Sequence, residues 1–279
     1  MGLLKNILGS HTEELEGYAI QIDEGKLTFD DIEDFLIKNK VSEQEYDKAR
    51  LNAHKKRADM GDAFSQYFYA LLIEDTNKNE ALNYYLMSAD QGYLDAMEAL
   101  ALNYSTHGNE NGRGFGVDPQ KEFEWRKKAA DTGDLKAICS LALEYSLGDI
   151  VEENEDEAER LYTLAAENGY AKGYLELANM LKYATNREKR MELLNKAMGC
   201  RYIDEDTFAS TAGSLGYCYK PSEDNEFADA RLSAYCFSLA YILGHDRYGE
   251  LVRETGYQTK DGEWEKWLDD AKNLRFQPY

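Results

Sequence analysis

Proline is scarce and long apolar runs are missing from this chain of 279 residues. Its three prolines leave nearly every segment free to form a helix, which predicts an all-α fold. No apolar run approaches the roughly 20 residues that a membrane-spanning helix needs. The N-terminal segment MGLLKNILGS also lacks an apolar core of signal-peptide length and a cleavage site. We therefore expect a cytoplasmic protein.

Cysteine and histidine are also few, with four residues of each. The cysteines are Cys139, Cys200, Cys218 and Cys236. Their wide spacing forms neither a C-x-x-C pair nor a disulfide framework, so we expect free and mostly buried thiols in a reducing compartment. The histidines are dispersed, and the sequence contains no H-E-x-x-H or G-x-S-x-G motif. We expect no metal site, no cofactor and no enzymatic activity.

Basic residues are outnumbered: Lys and Arg total 32 against 53 Asp and Glu, which gives a net charge of −21. Such a surface repels phosphate groups, so neither nucleic acid nor an anionic membrane is expected as a ligand. A protein or peptide partner of basic character is favoured instead, because opposite charge accelerates encounter.

What the sequence does contain is a recurring corner, in which an alanine lies three residues before a glycine and a small residue lies four after it. The four corners are RADMGDAFS (57–65), SADQGYLDA (88–96), AADTGDLKA (129–137) and AAENGYAKG (165–173). The steps of 31, 41 and 36 residues between their glycines indicate a stacked repeat array. Each glycine is expected just past the end of a helix, in the left-handed conformation that glycine adopts without strain.

A second shared pattern follows each corner at eight, nine and twelve residues after the glycine, such as Leu100, Ala101 and Tyr104 in the second repeat. These spacings place the three residues on one face of a helix, which we name helix A. A polar loop follows helix A. A second helix, helix B, then ends in the next corner.

These motifs resemble those of the Sel-one-like repeat family, which is related to the tetratricopeptide repeats. The second repeat shows the resemblance best, as LALNY (100–104), GFGVD (114–118) and EWRKKAADTG (124–133). Three repeats match over residues 63–169, and a fifth is recognisable in LGYCY (215–219). The repeat at 170–199 is looser, because its corner is one residue shorter. The resemblance implies a right-handed α-solenoid of antiparallel helix pairs, with about five repeats and helical caps.

We predict three segments along the chain: an N-terminal helical cap of two or three short helices over residues 1–57, the repeat array over 58–244, and a C-terminal helical cap of two closing helices with a tail over 245–279. In the first cap, Thr28 is expected to cap a helix over 29–39. Ser42 and Glu45 form a capping-box signature for a helix that runs to the first corner.

Three other segments have a structural and a functional interpretation. Trp264 and Trp267 are predicted to pack inward, and a tryptophan-anchored partner site is the alternative. The glycine-rich loop 109–118 follows no strand and lacks a Lys-Ser/Thr pair, so we interpret it as an A-to-B connection and not as a phosphate site. The segment 149–159 has seven acids and no base. It is predicted to start a helix B, whose dipole favours acids, and calcium or a basic partner is the alternative ligand.

In tetratricopeptide arrays the groove-facing residues flank the core positions of helix A, and the resemblance implies the same here. The candidate partner-binding residues are Phe64, Tyr67, Leu71, Glu74, Asp95, Glu98, Leu102, Lys136, Leu143, Lys172, Leu175, Asn179, Lys182 and Tyr217. Position ten after each corner glycine forms a row that begins with Leu71, Leu102 and Leu143. These leucines are either exposed in a groove or buried between adjacent A helices, and the sequence leaves both open.

The resemblance implies a non-enzymatic scaffold or adaptor that binds a protein partner through the concave face of the array. The alternative is an acidic immunity or inhibitor protein that neutralises a basic toxin such as a nuclease, a role in which some proteins with these repeats are similar. A hydrolase that uses the acidic segment 149–159 is a third hypothesis.

Overall fold

A computed structural model describes residues 2–110, 114–181, 186–222, 225–258, 260 and 262–272, with side chains from residue 12 onward except those of 268, 271 and 272. Within these ranges the chain forms helices joined by turns, and no strand is present, which confirms the all-α prediction. No helix in the described ranges is long and apolar enough to span a bilayer.

The chain divides into two compact units, Met1–Thr132 and Gly133–Tyr279, which are described separately below. Unit 1 contains α1 (Gly2–Asp23), α2 (Phe29–Asn39), α3 (Glu43–Asp59), α4 (Ala63–Ile73), α5 (Lys78–Asp90), α6 (Leu94–Tyr104) and α7 (Pro119–Asp131). Unit 2 contains α8 (Leu135–Leu147), α9 (Glu155–Glu167), α10 (Ala171–Met180), α11 (Arg187–Met198), α12 (Glu205–Tyr219), α13 (Ala230–Ile242), α14 (Tyr248–Glu254) and α15 (Glu263–Lys272).

Consecutive helices pack as antiparallel A–B pairs inside each unit. The pairs are α4–α5 and α6–α7 in unit 1, then α8–α9, α10–α11 and α12–α13 in unit 2. The predicted division into two caps and an array places its boundaries elsewhere, at residues 57 and 244, and stays a prediction.

The four predicted corners all contain a glycine in the left-handed conformation. Their φ angles are +96° at Gly61, +85° at Gly92, +87° at Gly133 and +89° at Gly169. The amide of Gly92 donates to the carbonyl of Ala89 at 2.9 Å, and the other corners use the same alanine-to-glycine spacing. A hydrogen bond of this kind ends helix B at a fixed residue and reverses the chain into the next helix A.

The corner after α11 differs from the four corners described above, as its sequence, which is one residue shorter, suggests. Gly199 has a φ of −93° and is therefore not left-handed. The chain continues to Tyr202, whose amide donates to the carbonyl of Gly169 at 3.2 Å and whose carbonyl accepts from the amide of Ala171 at 3.0 Å. These two bonds connect the end of this repeat to its own beginning.

The N-terminal segment confirms the predicted cap at Thr28 and the predicted capping box at Ser42 and Glu45. Thr28 accepts a hydrogen bond from the amide of Asp31 at the start of α2, and Ser42 accepts one from the amide of Glu45 at the start of α3. The first helix, α1, has 22 residues and is therefore longer than the short helices that the sequence suggests.

A buried ionic network connects three helices of unit 1. Arg50 on α3 donates two hydrogen bonds of 2.6 Å to the carboxylate of Asp23 on α1. His54, also on α3, places its Nε2 2.8 Å from the same carboxylate. The His54 ring is fully buried and stacks on Phe68 of α4 at a centroid distance of 5.1 Å. The network therefore holds α1 against the first repeat.

The predicted pair of closing helices is present at the other end, as α14 and α15. Trp267 is 2% exposed, and its ring centroid lies 5.4 Å from that of Tyr235 on α13. Trp264 is half-buried beside it, with 6.4 Å between the two ring centroids. Inward packing is therefore correct for Trp267, and the predicted tail over 273–279 lies outside the described residues.

The first prediction concerns the left-handed corner. A Cβ added at Gly92 meets no atom within 4 Å, so Gly92→Ala tests backbone strain alone. We expect it to lower the free energy of unfolding by about 1 kcal/mol, the usual cost of a side chain at positive φ. Gly199→Ala is the matched control, because its φ is negative and its nearest contact, 3.6 Å, is ordinary. If urea unfolding shows equal stability losses for both variants, the left-handed conformation of Gly92 is not the reason that glycine is needed at the corner.

The second prediction concerns the pH dependence of the Asp23 network. Burial opposes ionisation of Asp23, but hydrogen bonds from His54 and Arg50 outweigh it, so the pKa of Asp23 lies below its ordinary value. The stability that Asp23 contributes is therefore present above its unfolded pKa, near 4, and is lost as the pH falls through the lower folded value.

Asp23→Asn should accordingly cost about 2 kcal/mol at pH 7 and less at pH 3, as measured by urea unfolding at both pH values. Asp34→Asn, an exposed carboxylate on α2, is the control and should be near neutral at both. If the cost of Asp23→Asn is the same at both pH values, the charge of Asp23 does not contribute to the free energy of unfolding.

Candidate partner-binding faces

The unit 1 face is the surface made by the candidate residues of α4 and α6. It consists of Phe64, Tyr67, Leu71, Glu74, Asp95, Glu98 and Leu102. Leu71 and Leu102 project into solvent, with 41% and 53% of their surface exposed. Asp95 is exposed as well, and the other members are partly buried.

A layer of aromatic rings lies under this face, and we call it the aromatic layer: Phe64, Tyr67, Phe68, Tyr85 and Tyr93. The Tyr67 ring lies 5.4 Å from Tyr93 and 5.3 Å from Phe68 by centroid. Phe64 lies 4.5 Å from Phe68 and meets Tyr93 edge to face at 6.3 Å. Ring pairs at these separations are mutually stabilising, so the aromatic members of the unit 1 face are held in a well-packed group.

Carboxylates surround the exposed centre of the unit 1 face. Tyr85 donates its hydroxyl proton to Glu74 at 2.7 Å. Burial raises the pKa of Tyr67, and the nearby carboxylates of Asp95, Glu74 and Glu98 raise it further. The tyrosine therefore stays neutral at physiological pH, and the charge of this face comes from the acids. The face combines apolar and negative groups.

The unit 2 face is made by candidate residues of α8, α10 and α12: Lys136, Leu143, Lys172, Asn179 and Tyr217. Leu143 is 42% exposed and Tyr217 is 39% exposed. The Tyr217 ring is supported by Phe237 of α13, at a centroid distance of 5.2 Å. Lys136, Lys172 and Asn179 are exposed. This face has an apolar centre as well, but its charged members are lysines.

Two of the predicted site residues are not part of either face. Leu175 is 5% exposed, because it packs with Leu194 of α11 and Leu215 of α12 in the core of unit 2. The prediction that it contacts a partner is therefore wrong. Lys182 lies outside the described residues.

The position-ten row is exposed in both units, so the interpretation of its leucines as buried between A helices is wrong. Its members are Leu71, Leu102, Leu143, Asn179 and Tyr217. In contrast, the preceding core positions are covered: Leu100 is 0% exposed and Leu141 is 5% exposed. Residues two apart on a helix point in different directions, which explains why neighbouring leucines have opposite environments.

Sequence reasoning missed Tyr93, Tyr85 and Phe68 of the aromatic layer. Tyr93 directly follows the corner glycine Gly92, and Tyr170 follows Gly169 in the same way. A tyrosine directly after a corner is a sequence signal that was available. It places a ring where the chain enters helix A, next to the preceding A helix in unit 1.

The cysteines confirm the prediction of free and mostly buried thiols, since three of the four are buried and none is in a disulfide. Burial raises the pKa of the Cys139 thiol to about 12, which keeps it protonated. A buried, protonated thiol is a poor nucleophile and a poor metal ligand.

The acidic segment does start a helix B, as predicted. Asn154 accepts a hydrogen bond from the amide of Glu157 at 3.0 Å, and the first turn of α9 contains Glu155, Asp156 and Glu157. The described residues contain no group of three or more His, Cys, Asp and Glu side chains arranged to hold a metal ion.

The glycine-rich loop 109–118 lies between α6 and α7, and its described residues are 109–110 and 114–118. The Asn109 side chain donates to the carbonyls of Asn103 and Ser105 and accepts from the amide of Gly116 at 2.7 Å. The loop residues 111–113 lie outside the described residues. The Asn109 side chain and the backbone bond from the amide of Phe115 to the carbonyl of Asn103 therefore hold the two ends of the A-to-B connection together.

The helix pairs and their corners correspond to a known repeat. The Sel1 repeat model matches residues 63–93, 94–134, 135–170 and 214–245, which together make up half of the chain. The chain belongs to the Sel1 repeat family. The matched stretches leave out 171–213, which contains the loose repeat α10–α11. Sel1 repeat proteins are generally non-catalytic scaffolds that bind protein partners.

Solved structures share the fold. A protective antigen of uropathogenic Escherichia coli with an SLR fold has a TM-score of 0.60 and 20% identity, over 80% of this chain and 48% of the antigen. The Sel1 repeat protein from Oxalobacter formigenes has a TM-score of 0.59 and 19% identity, over 81% of this chain and 94% of that protein. The chain thus spans about half the length of the antigen. At these identities the likeness establishes the helical solenoid fold alone. No curated protein matches the chain.

The third prediction uses two leucines on the same helix. Leu102→Ala should change the free energy of unfolding by less than about 0.5 kcal/mol, because Leu102 lies on the surface. Leu100→Ala is its buried counterpart and should cost about 2–5 kcal/mol through the cavity it creates. Urea unfolding measures both. A large cost for Leu102→Ala would mean that its side chain is covered in solution.

Proposed function

We propose that the protein is a non-enzymatic scaffold that binds a protein partner through its A-helix faces, and that the unit 1 face takes a basic segment of that partner. The observation that carries the proposal is the exposure of Leu71 on α4 and Leu102 on α6, two helices joined by the packing of Tyr67 on Tyr93, with three acids near Tyr67. Membership of the Sel1 repeat family supports the scaffold role in general terms.

The exposed leucines supply the apolar part of such an interface. Covering them removes apolar surface from water, which is favourable by about 25 cal/mol per Å². Interfaces depend on a few well-supported anchors, and aromatic residues are frequent among them. Tyr67 belongs to the aromatic layer and precedes Leu71 by four residues on α4, so a partner side chain that contacts Leu71 lies beside packed rings.

The acids supply the selectivity. Glu74, Asp95 and Glu98 surround the face, and the whole chain carries a net charge of −21. A negative potential of this kind attracts a basic partner from a distance and repels an acidic one. The lysines Lys136 and Lys172 on the unit 2 face favour a different, less basic part of the partner.

The acidic inhibitor of a basic toxin is a second candidate, favoured by the same acids on the unit 1 face. An inhibitor recognises its partner through the same apolar and acidic groups as a scaffold does. Its binding has a different effect on the activity of that partner. An inhibitor lowers the activity of the enzyme that it binds, whereas a scaffold leaves that activity unchanged. An activity assay on the purified partner, with and without this protein, separates the two roles.

The fourth prediction tests the unit 1 face by affinity capture from native lysate with quantitative mass spectrometry. The variant Leu71→Ser, Asp95→Asn, Leu102→Ser removes two exposed leucines and one exposed acid. We expect recovery of the partner to fall by at least about tenfold, because loss of interface anchors typically costs more than 1 kcal/mol each. Recovery from wild type should also fall at high salt, which screens the acids.

The matched control removes the same chemistry from another surface of unit 1. Met60→Ser, Met87→Ser, Asp90→Asn changes two exposed apolar residues and one exposed acid on or after the B-type helices. It should leave recovery within about twofold of wild type. Equal loss with both variants, or an acidic partner whose capture does not depend on salt, would contradict the proposal.

A further inference from the structure

A cleft of about 380 Å³ lies in unit 2 between the B helices α9 and α11, with α10 as its floor. We call it the α10 cleft. Its floor is apolar and consists of Tyr174, Leu177 and Met180 on α10 and Leu181 directly after it, and Leu193 of α11 adds an apolar side chain beside the floor. It does not include any residue of the unit 2 face, so it is a separate surface of the same unit.

The cleft exists because the loose repeat leaves two core positions partly uncovered. The fifth and eighth residues after a corner glycine are Gln66 and Tyr69, Met97 and Leu100, and Ile138 and Leu141 in the first three repeats. All six are buried, with at most 7% of their surface exposed. The corresponding residues of α10, Tyr174 and Leu177, are only half-buried. Among these four repeats, the one with α10 is therefore the one whose apolar core positions are accessible to solvent.

Local backbone geometry explains the difference. Gly173 lets α10 approach α9 so closely that a Cβ at this position would lie 2.6 Å from the carbonyl oxygen of Tyr162. On the other side, α11 ends at Gly199 without the left-handed corner that positions the preceding B helices. The segment with α10 and α11 is also left out of the Sel1 repeat matches. The close approach at Gly173 and the different end of α11 set this repeat apart, and the cleft lies between α9 and α11, the B helices on either side of α10.

The walls of the cleft differ in charge. The α9 wall carries four acids: Glu155, Asp156, Glu159 and Glu167. The α11 wall carries Lys189 and Lys196. Lys196 donates to Glu192 of its own helix at 2.7 Å, which neutralises one of the two bases. The charge that a bound molecule meets is therefore mainly negative, and it lies along α9.

We propose that the α10 cleft is a second docking site, which takes an amphipathic helix of a protein partner. The apolar ridge of that helix contacts the floor, and lysines or arginines on one flank lie against α9. The volume holds a few aliphatic side chains and not a whole helix, which corresponds to a helix lying across a groove and inserting residues at i, i+3 and i+4. This site does not depend on the function proposed for the A-helix faces.

The site can be tested with two synthetic helical peptides and the full chain. Both peptides carry leucines at i, i+3, i+4 and i+7, with lysines on the flanks of one and glutamates on the flanks of the other. Each has a fluorescent label for anisotropy and a photoreactive leucine analogue. We expect the lysine peptide to bind, the glutamate peptide not to bind, and the crosslinks to fall within 155–196.

Two charge-matched variants locate the contribution of α9. Glu159→Lys, Glu167→Lys reverses two acids of the cleft wall that lie beyond the first turn of α9, where the helix dipole does not oppose lysine, and should weaken the lysine peptide at least tenfold. Glu152→Lys, Glu153→Lys makes the same change in net charge in the acidic segment just outside the cleft, and should change the affinity less than twofold. Circular dichroism verifies that both variants are folded.

Three results would each overturn the proposal: no binding of the lysine peptide, equal weakening by both variants, or crosslinks on α4 and α6. The last would assign the peptide to the unit 1 face. Conversely, the Leu71→Ser, Asp95→Asn, Leu102→Ser variant should retain crosslinking within 155–196, so failure of the proposed function and failure of this inference give different results.

Discussion

A left-handed glycine just past the end of helix B is the constraint on which the repeats depend. It ends helix B at a defined residue, as at Gly92, whose amide bonds to Ala89. Only a residue without a Cβ adopts the required φ of about +85° to +96° without strain. Because the next helix A begins two residues later, the corner determines which residues of that helix face the core. The exposed row at position ten is a direct consequence of this register.

The corners, the capped helices α2 and α3, and the pair of closing helices could be predicted from the sequence, since each depends on local chemistry. Glycine, capping residues and apolar spacing act within a few residues of one another. The exposure of Leu102 and the burial of Leu175 could not be predicted. Both are leucines on the outer positions of helix A, and their environments depend on how closely neighbouring helices pack. Leu175 is covered by Leu194 and Leu215, which lie far along the chain.

The abundant acids serve more than one purpose. Glu155, Asp156 and Glu157 begin α9, where the helix dipole favours them, whatever else they contact. Asp23 is different, because it is buried and bound to Arg50 and His54. Asp95 is exposed beside the leucines of the unit 1 face. Net charge therefore favours a class of partner, and the position of each carboxylate decides whether it is enclosed within the fold or exposed where a partner can contact it.

The bonds of Tyr202 to Gly169 and Ala171 have a consequence for the history of the chain. The backbone leaves this point at residue 171, forms α10 and α11, and returns to the same point at residue 202. The two ends of this segment therefore lie next to each other. Segments with adjacent ends are the ones that proteins gain, lose or exchange with least disturbance to their surroundings. The α10–α11 pair is thus a module that can diverge in sequence while the repeats before and after it retain their pattern.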